Sequence, residues 1–111
     1  MANGVVERRV LSDGTTYIKF ESGFMMAWGS RSVSATTQNG LYGYRGEATI
    51  DLSPYGFTNI IVCFSNVLAN AAWWNCTATR IDNTSKTFLL TVAGSETTAV
   101  NAQWFAAGMW R

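Results

Sequence analysis

Chemistry in a protein begins with groups that ionise, coordinate or attack, and this chain carries few of them. Its 111 residues include no histidine, seven acidic residues and two cysteines. Without imidazole the usual general base and the commonest metal ligand are missing, and so is every Ser–His or Cys–His nucleophile. Two thiols alone cannot close a four-ligand zinc site within one chain. No glycine-rich phosphate loop of either common pattern occurs. Carboxylate pairs remain, since glycoside hydrolysis needs only two carboxyls about 5 to 9.5 Å apart. Glu47 and Asp51 share one face of a predicted strand. Four residues at about 3.3 Å each separate their backbones by about 13 Å, too far for either hydrolytic geometry. The residue types thus argue against an enzyme, a metal centre and a cofactor. A polysaccharide hydrolase built on a cross-strand pair, such as Asp51 with Glu21 or Glu96, stays as a remote alternative.

Aromatic rings are the richer resource: five Trp, four Tyr and six Phe exceed what one small core needs. Trp28, Trp74 and Trp104 fall on predicted core faces, whereas Trp73, Tyr42, Tyr44 and Tyr55 fall at outward or loop positions. Flat rings beside Asn75 and short hydroxyl residues suit a sugar, whose C–H face stacks while its hydroxyls are hydrogen-bonded. Tyr42, Tyr44, Tyr55, Trp73 and Asn75 are therefore ligand-binding candidates. The same rings suit packing against a neighbouring subunit, and both uses stay open.

Composition favours a partner. Hydrophobic residues make up 48% of the chain and charged residues 14%, against about 25% charged in an average soluble domain. So few charges leave apolar surface for another copy to cover. The segment from Phe24 through Met25, Met26 and Ala27 to Trp28 is apolar on both faces, which requires cover on both sides. Phe24, Met25, Met26 and Trp28 are the candidate oligomer interface. A net charge of +1 gives no broad footprint for nucleic acid or an anionic membrane. Arg8 and Arg9 beside Glu7 read as a solvated charged cluster. The longest apolar runs, residues 60–64 and 24–28, are far too short to span a bilayer. With no apolar leader after Met1, the expectation is a soluble chain made in a cytoplasm. Cys63 and Cys76, on separate predicted strands, read as buried thiols, bonded only if those strands are facing neighbours. Asn75-Cys76-Thr77 and Asn83-Thr84-Ser85 match the glycosylation pattern by chance under that expectation.

The elements that must position these residues are strands. Gly, Asn, Ser and Asp punctuate short segments rich in β-branched and aromatic residues, and no window repeats apolar residues at helical spacing. Residues 15–20 and 24–30 read as a hairpin around Glu21-Ser22-Gly23. Residues 33–43 read as a loop or weak strand. Residues 46–52 alternate, with Ala48, Ile50 and Leu52 inward, and lead into a turn holding Pro54, the only proline. Residues 59–65 are apolar on both faces and are expected to be the most buried strand. Residues 72–81, 86–92 and 99–110 complete the set, with Phe88, Leu90, Val92, Val100, Ala102, Trp104 and Ala106 inward. The prediction is an all-β fold: an antiparallel β-sandwich of about seven strands preceded by a β-hairpin, with little or no helix. Residues 1–12 form an N-terminal stalk or linker, and residues 13–111 a single domain.

Three segments, in order, resemble C-terminal domains of phage tail fibres. The hairpin Tyr17-Ile18-Lys19-Phe20-Glu21-Ser22-Gly23-Phe24-Met25-Met26-Ala27-Trp28-Gly29 is similar to that family's opening motif, closing on Trp-Gly. Ala48-Thr49-Ile50-Asp51-Leu52-Ser53-Pro54-Tyr55-Gly56-Phe57 resembles its strand and Phe-Pro turn, with Leu52-Ser53-Pro54-Tyr55 replacing the usual residues. Gln103-Trp104-Phe105-Ala106-Ala107-Gly108 resembles its Trp-x-Ala-x-Gly ending. The resemblance implies a β-sandwich at the distal tip of a homotrimeric fibre, on a virion, binding a receptor on the bacterial host surface, commonly a glycan. Its alternative is a purely structural module that caps or trimerises a fibre. The family's receptor contacts lie in variable loops, so no motif carries them over to this sequence.

Overall fold

The computed structural model describes residues 4–38, 43–67, 73–80, 86–95, 97 and 99–111, and at residues 73–75 and 80 the backbone alone. Among these residues the chain forms nine strands: β1 (Val5–Val10), β2 (Thr16–Phe20), β3 (Phe24–Ser34), β4 (Thr37–Gln38), β5 (Tyr44–Asp51), β6 (Asn59–Val67), β7 (Trp73–Arg80), β8 (Thr87–Gly94) and β9 (Ala99–Met109). A single 3-10 turn, Ser53–Tyr55, interrupts them. Two antiparallel sheets result, ordered β1-β2-β3-β9-β6 and β4-β5-β8-β7. The all-β sandwich expected from strand grammar is present.

Two-residue periodicity builds the core. β8 buries Phe88, Leu90 and Val92, and β5 contributes Ile50, which the buried Leu52 follows. Across the sandwich Tyr17, Met25, Ala27, Val33, Val100, Ala102, Trp104 and Ala106 face them from β2, β3 and β9. Phe88 meets Trp104 edge-on, with ring centroids 5.8 Å apart. Gly29 stands opposite Trp104 in the β3–β9 ladder. A Cβ on Gly29 would lie 2.9 Å from Trp104 Cζ2, so the Trp-Gly pair closing the hairpin motif leaves room for the indole of its direct cross-strand partner.

Several expectations change. Within the stretch read as a loop or weak strand, residues 33–34 and 37–38 are strand, and residues 39–42 lie outside the described residues. β3 runs to Ser34, and β4 then pairs with β5 in the other sheet, so this stretch carries the chain between sheets. At that crossing the Ser34 and Ala35 backbone presses on Gly46, where a Cβ would overlap the Ser34 carbonyl. β6 is an edge strand and not the most buried one: Ile61, Val62 and Phe64 are 59%, 43% and 55% exposed. A bulge between Ile60 and Val62 turns consecutive apolar side chains outward. Val5–Val10 is a strand paired with β2 despite its charged cluster. Trp28 lies on the opposite face of β3 from the core residues Met25 and Ala27, so it is not a core tryptophan. The side chain of Trp74 lies outside the described residues.

The C-terminus is clasped by the first hairpin. The Trp110 amide donates to the Gly23 carbonyl at 2.8 Å, and the Trp110 indole N–H donates to the Phe20 carbonyl at 2.8 Å. Beside it Lys19 pairs with Glu7 at 3.3 Å and sits over the Tyr17 and Trp110 rings. Cys63 and Cys76 are both thiols. The Cys76 thiol donates to the Ser65 hydroxyl at 3.3 Å, two residues or about 7 Å along the strand from Cys63.

Three carboxyls are held more acidic than usual by local donors. Glu7 is lowered by the Tyr17 hydroxyl first and Lys19 second. Asp13 is lowered mainly by the Thr15 backbone N–H, and Asp51 by the Ser53 hydroxyl and amide. A carboxyl made more acidic by folding stabilises the fold where it is ionised. That contribution is therefore present above the unfolded value and lost as pH falls through the folded one. With no histidine in the chain, thermal midpoints should be flat from about pH 5.5 to 7 and fall below about pH 4. A step near pH 6 in a calorimetric series would contradict this. In urea unfolding, Phe88→Ala should lose about 3–5 kcal/mol as a core cavity. Gly46→Ala should lose about 1–3 kcal/mol from overpacking at the crossing. The exposed substitution Thr77→Ala should stay within about 0.5 kcal/mol of the parent.

Candidate functional site

The outward face of the five-stranded sheet is assembled by register. Its first cross-strand row brings Val5 and Phe20 beside Phe24, Met109 and Asn59. The second is Arg8, Ile18, Met26, Ala107 and Val62, and the third is Val10, Thr16, Trp28, Phe105 and Phe64. The fourth row is polar: Ser30, Gln103 and Asn66, followed by Ser32 opposite Asn101. Rows stand about 7 Å apart and strands about 4.8 Å apart, so the three largely apolar rows cover roughly 500 Å². That lies near the upper end of apolar patches that monomers leave exposed.

Packing within this face is real but shallow. Phe64 stacks on Phe105 at 4.9 Å, and Phe20 meets Phe24 at 5.9 Å. Phe24, Met26 and Trp28 are half-buried here, whereas Met25 points the other way and is completely buried in the core. Three of the four interface candidates thus share the outward face. Met25 is removed from it by the two-residue alternation of β3.

Where the apolar rows give way to the polar one, a groove of about 420 Å³ opens over β3, β9 and β6. Trp28, Phe105 and Phe64 form one side of it, and Ser30, Gln103 and Asn66 the other. Among the described residues no charged side chain lines it.

None of the described ligand candidates lines this groove. Tyr44 and Trp73 flank Gly94 from either side of β8, and Asn75 pairs with Ala93 one step along. The side chains of Trp73 and Asn75, and all of Tyr42, lie outside the described residues. Tyr44 is half-buried and packs on the core. Tyr55 belongs to the 3-10 turn beyond the opposite end of β5, its ring 5.9 Å from Tyr17. A smaller polar cleft of about 280 Å³ beside Tyr44 holds Ser34, Thr36, Thr37 and a surface Arg45–Glu47 pair at 3.3 Å. Ser30, Asn66 and Gln103, which no sequence pattern singles out, become neighbours only through the β3-β9-β6 order. Among the described residues no group of three Cys, Asp or Glu side chains gathers as metal ligands. No helix among them is long and apolar enough to cross a membrane.

No family model and no curated protein matches the chain. Solved structures do. The N-truncated R1-type pyocin tail fibre aligns with a TM-score of 0.59 at 14% identity, covering 93% of this chain and 86% of that one. The N-truncated R2-type pyocin tail fibre gives 0.57 at 15% identity, covering 93% of this chain and 38% of that one. A C-terminal portion of the P. aeruginosa R1 pyocin fibre gives 0.59 at 13%, covering 93% and 28%. The chain thus spans well under half the length of the latter two fibres. Likeness at this identity speaks to architecture, and it agrees with the resemblance carried by the hairpin, turn and Trp-x-Ala-x-Gly segments: this chain has the fold found in the C-terminal part of pyocin tail fibres.

Proposed function

We propose that the chain is the receptor-binding tip domain of a phage-type tail fibre, assembled as a homotrimer on the particle and recognising a bacterial surface receptor, in particular a glycan. The observation that carries this reading is the outward face of the five-stranded sheet, with three apolar rows meeting a polar one. The apolar rows containing Phe24 and Met26, with Trp28 at their boundary, suit burial against other copies of the chain. The shared fold with pyocin tail fibres supports placing such a domain at the end of a fibre. The polar row and the outward rings supply hydrogen-bonding groups and stacking surfaces of the kind a saccharide needs.

The same apolar rows also favour a second reading, in which the domain only trimerises and caps a fibre. Ligand binding separates the two. The full chain on an array of bacterial surface polysaccharides should bind a subset of them, and the bound chain should compete with intact particles for host cells. Binding to none, with the oligomer intact, would leave the capping reading standing and sink the receptor-binding one.

A further inference from the structure

We propose that the groove at the apolar–polar boundary of the five-stranded sheet is a saccharide subsite selective for a neutral pyranose over its uronic-acid counterpart. The inference rests on the receptor-binding reading and adds to it the place and the ligand class.

A pyranose is two-sided, with a patch of C–H bonds on one face and hydroxyls around its rim. The groove is two-sided in the same sense. Trp28, Phe105 and Phe64 stand in one cross-strand row and Ser30, Gln103 and Asn66 in the next, a separation of about 7 Å. A ring laid across the boundary places its C–H face against the aromatic row and its hydroxyls over the polar row. Each primary amide offers two N–H donors and a carbonyl acceptor, enough to take a pair of adjacent hydroxyls, and Ser30 adds a third rotatable group. Among the described residues none of these three polar side chains is engaged in a hydrogen bond within the chain. The volume of about 420 Å³ falls in the range of small-ligand sites.

Charge decides the class of sugar. With no cation among the described lining residues, a carboxylate entering the groove sheds water and gains no counter-charge from them. A second copy seated in the groove is the poorer occupant, because its apolar surface would strand the Gln103 and Asn66 amides without partners. The apolar rows on the far side of Trp28 are the better place for a copy.

The test titrates the full chain with methyl glycosides of glucose, galactose, mannose and N-acetylglucosamine, and with methyl glucuronide. Tryptophan fluorescence and saturation-transfer NMR report binding. At least one neutral glycoside should bind with a Kd on the order of 1–10 mM, and the glucuronide about tenfold more weakly or not at all. Gln103→Ala and Asn66→Ala should each weaken binding by about fivefold, the worth of one or two neutral hydrogen bonds. Both side chains are exposed, so mass and unfolding midpoint should not move. Equal binding of the glucuronide would overturn the proposal, as would a change of oligomeric mass in either variant. If array binding by the parent chain survives undiminished in both variants, the groove is the wrong place and the receptor-binding reading stands. If the parent chain binds no saccharide at all, both fail together.

Discussion

The ladder between β3 and β9 is the interaction on which the rest of the molecule depends. It runs without a break from Phe24 opposite Met109 to Ser34 opposite Ala99. Because it joins the first hairpin to the last strand, it fixes two faces at once. On one, Met25, Ala27 and Trp104 enter the core, with Gly29 clearing space for the indole. On the other, the outward rows containing Phe24, Met26, Trp28, Ser30, Phe105 and Gln103 are set in register. A one-residue slip would exchange the two sets, putting a tryptophan and a glutamine against Phe88. The Trp110 hydrogen bonds to the hairpin turn lock the end of this ladder in place.

Alternation made much of this legible from sequence. Residues 46–52, 86–92 and 99–110 alternate because one face of each strand is wet and one is dry, and their inward residues are the core residues found. The doubly apolar strands were harder to read, for a definite reason. Alternation divides a strand into two sets, but when both sets are apolar it does not say which faces in. Trp28 read both as core and as interface and Met25 as interface; the fold turns Trp28 to the outward face and buries Met25 in the core. Residues 59–65 read as the innermost strand. They lie at the sheet edge, where a bulge exposes Ile61 and Val62 and where Phe64 stacks outward on Phe105.

The site was less legible than the fold. Candidates chosen by ring chemistry at outward positions, Tyr44 and Tyr55, lie at opposite ends of β5. The groove joins residues separated by more than seventy positions along the chain, from Ser30 to Gln103, and no local pattern marks them. Topology supplies that juxtaposition, in particular the placing of β9 between β3 and β6. The low charge content, by contrast, pointed correctly to a surface with a large apolar share, and that share is concentrated on one sheet face.

The central proposal is that the apolar rows of this face meet other copies of the chain. The mass of the full chain in solution, measured by multi-angle light scattering across a dilution series, tests it most directly. The account predicts a stable species of three times the 12.2 kDa chain. A species of 12.2 kDa that persists at every concentration would contradict it.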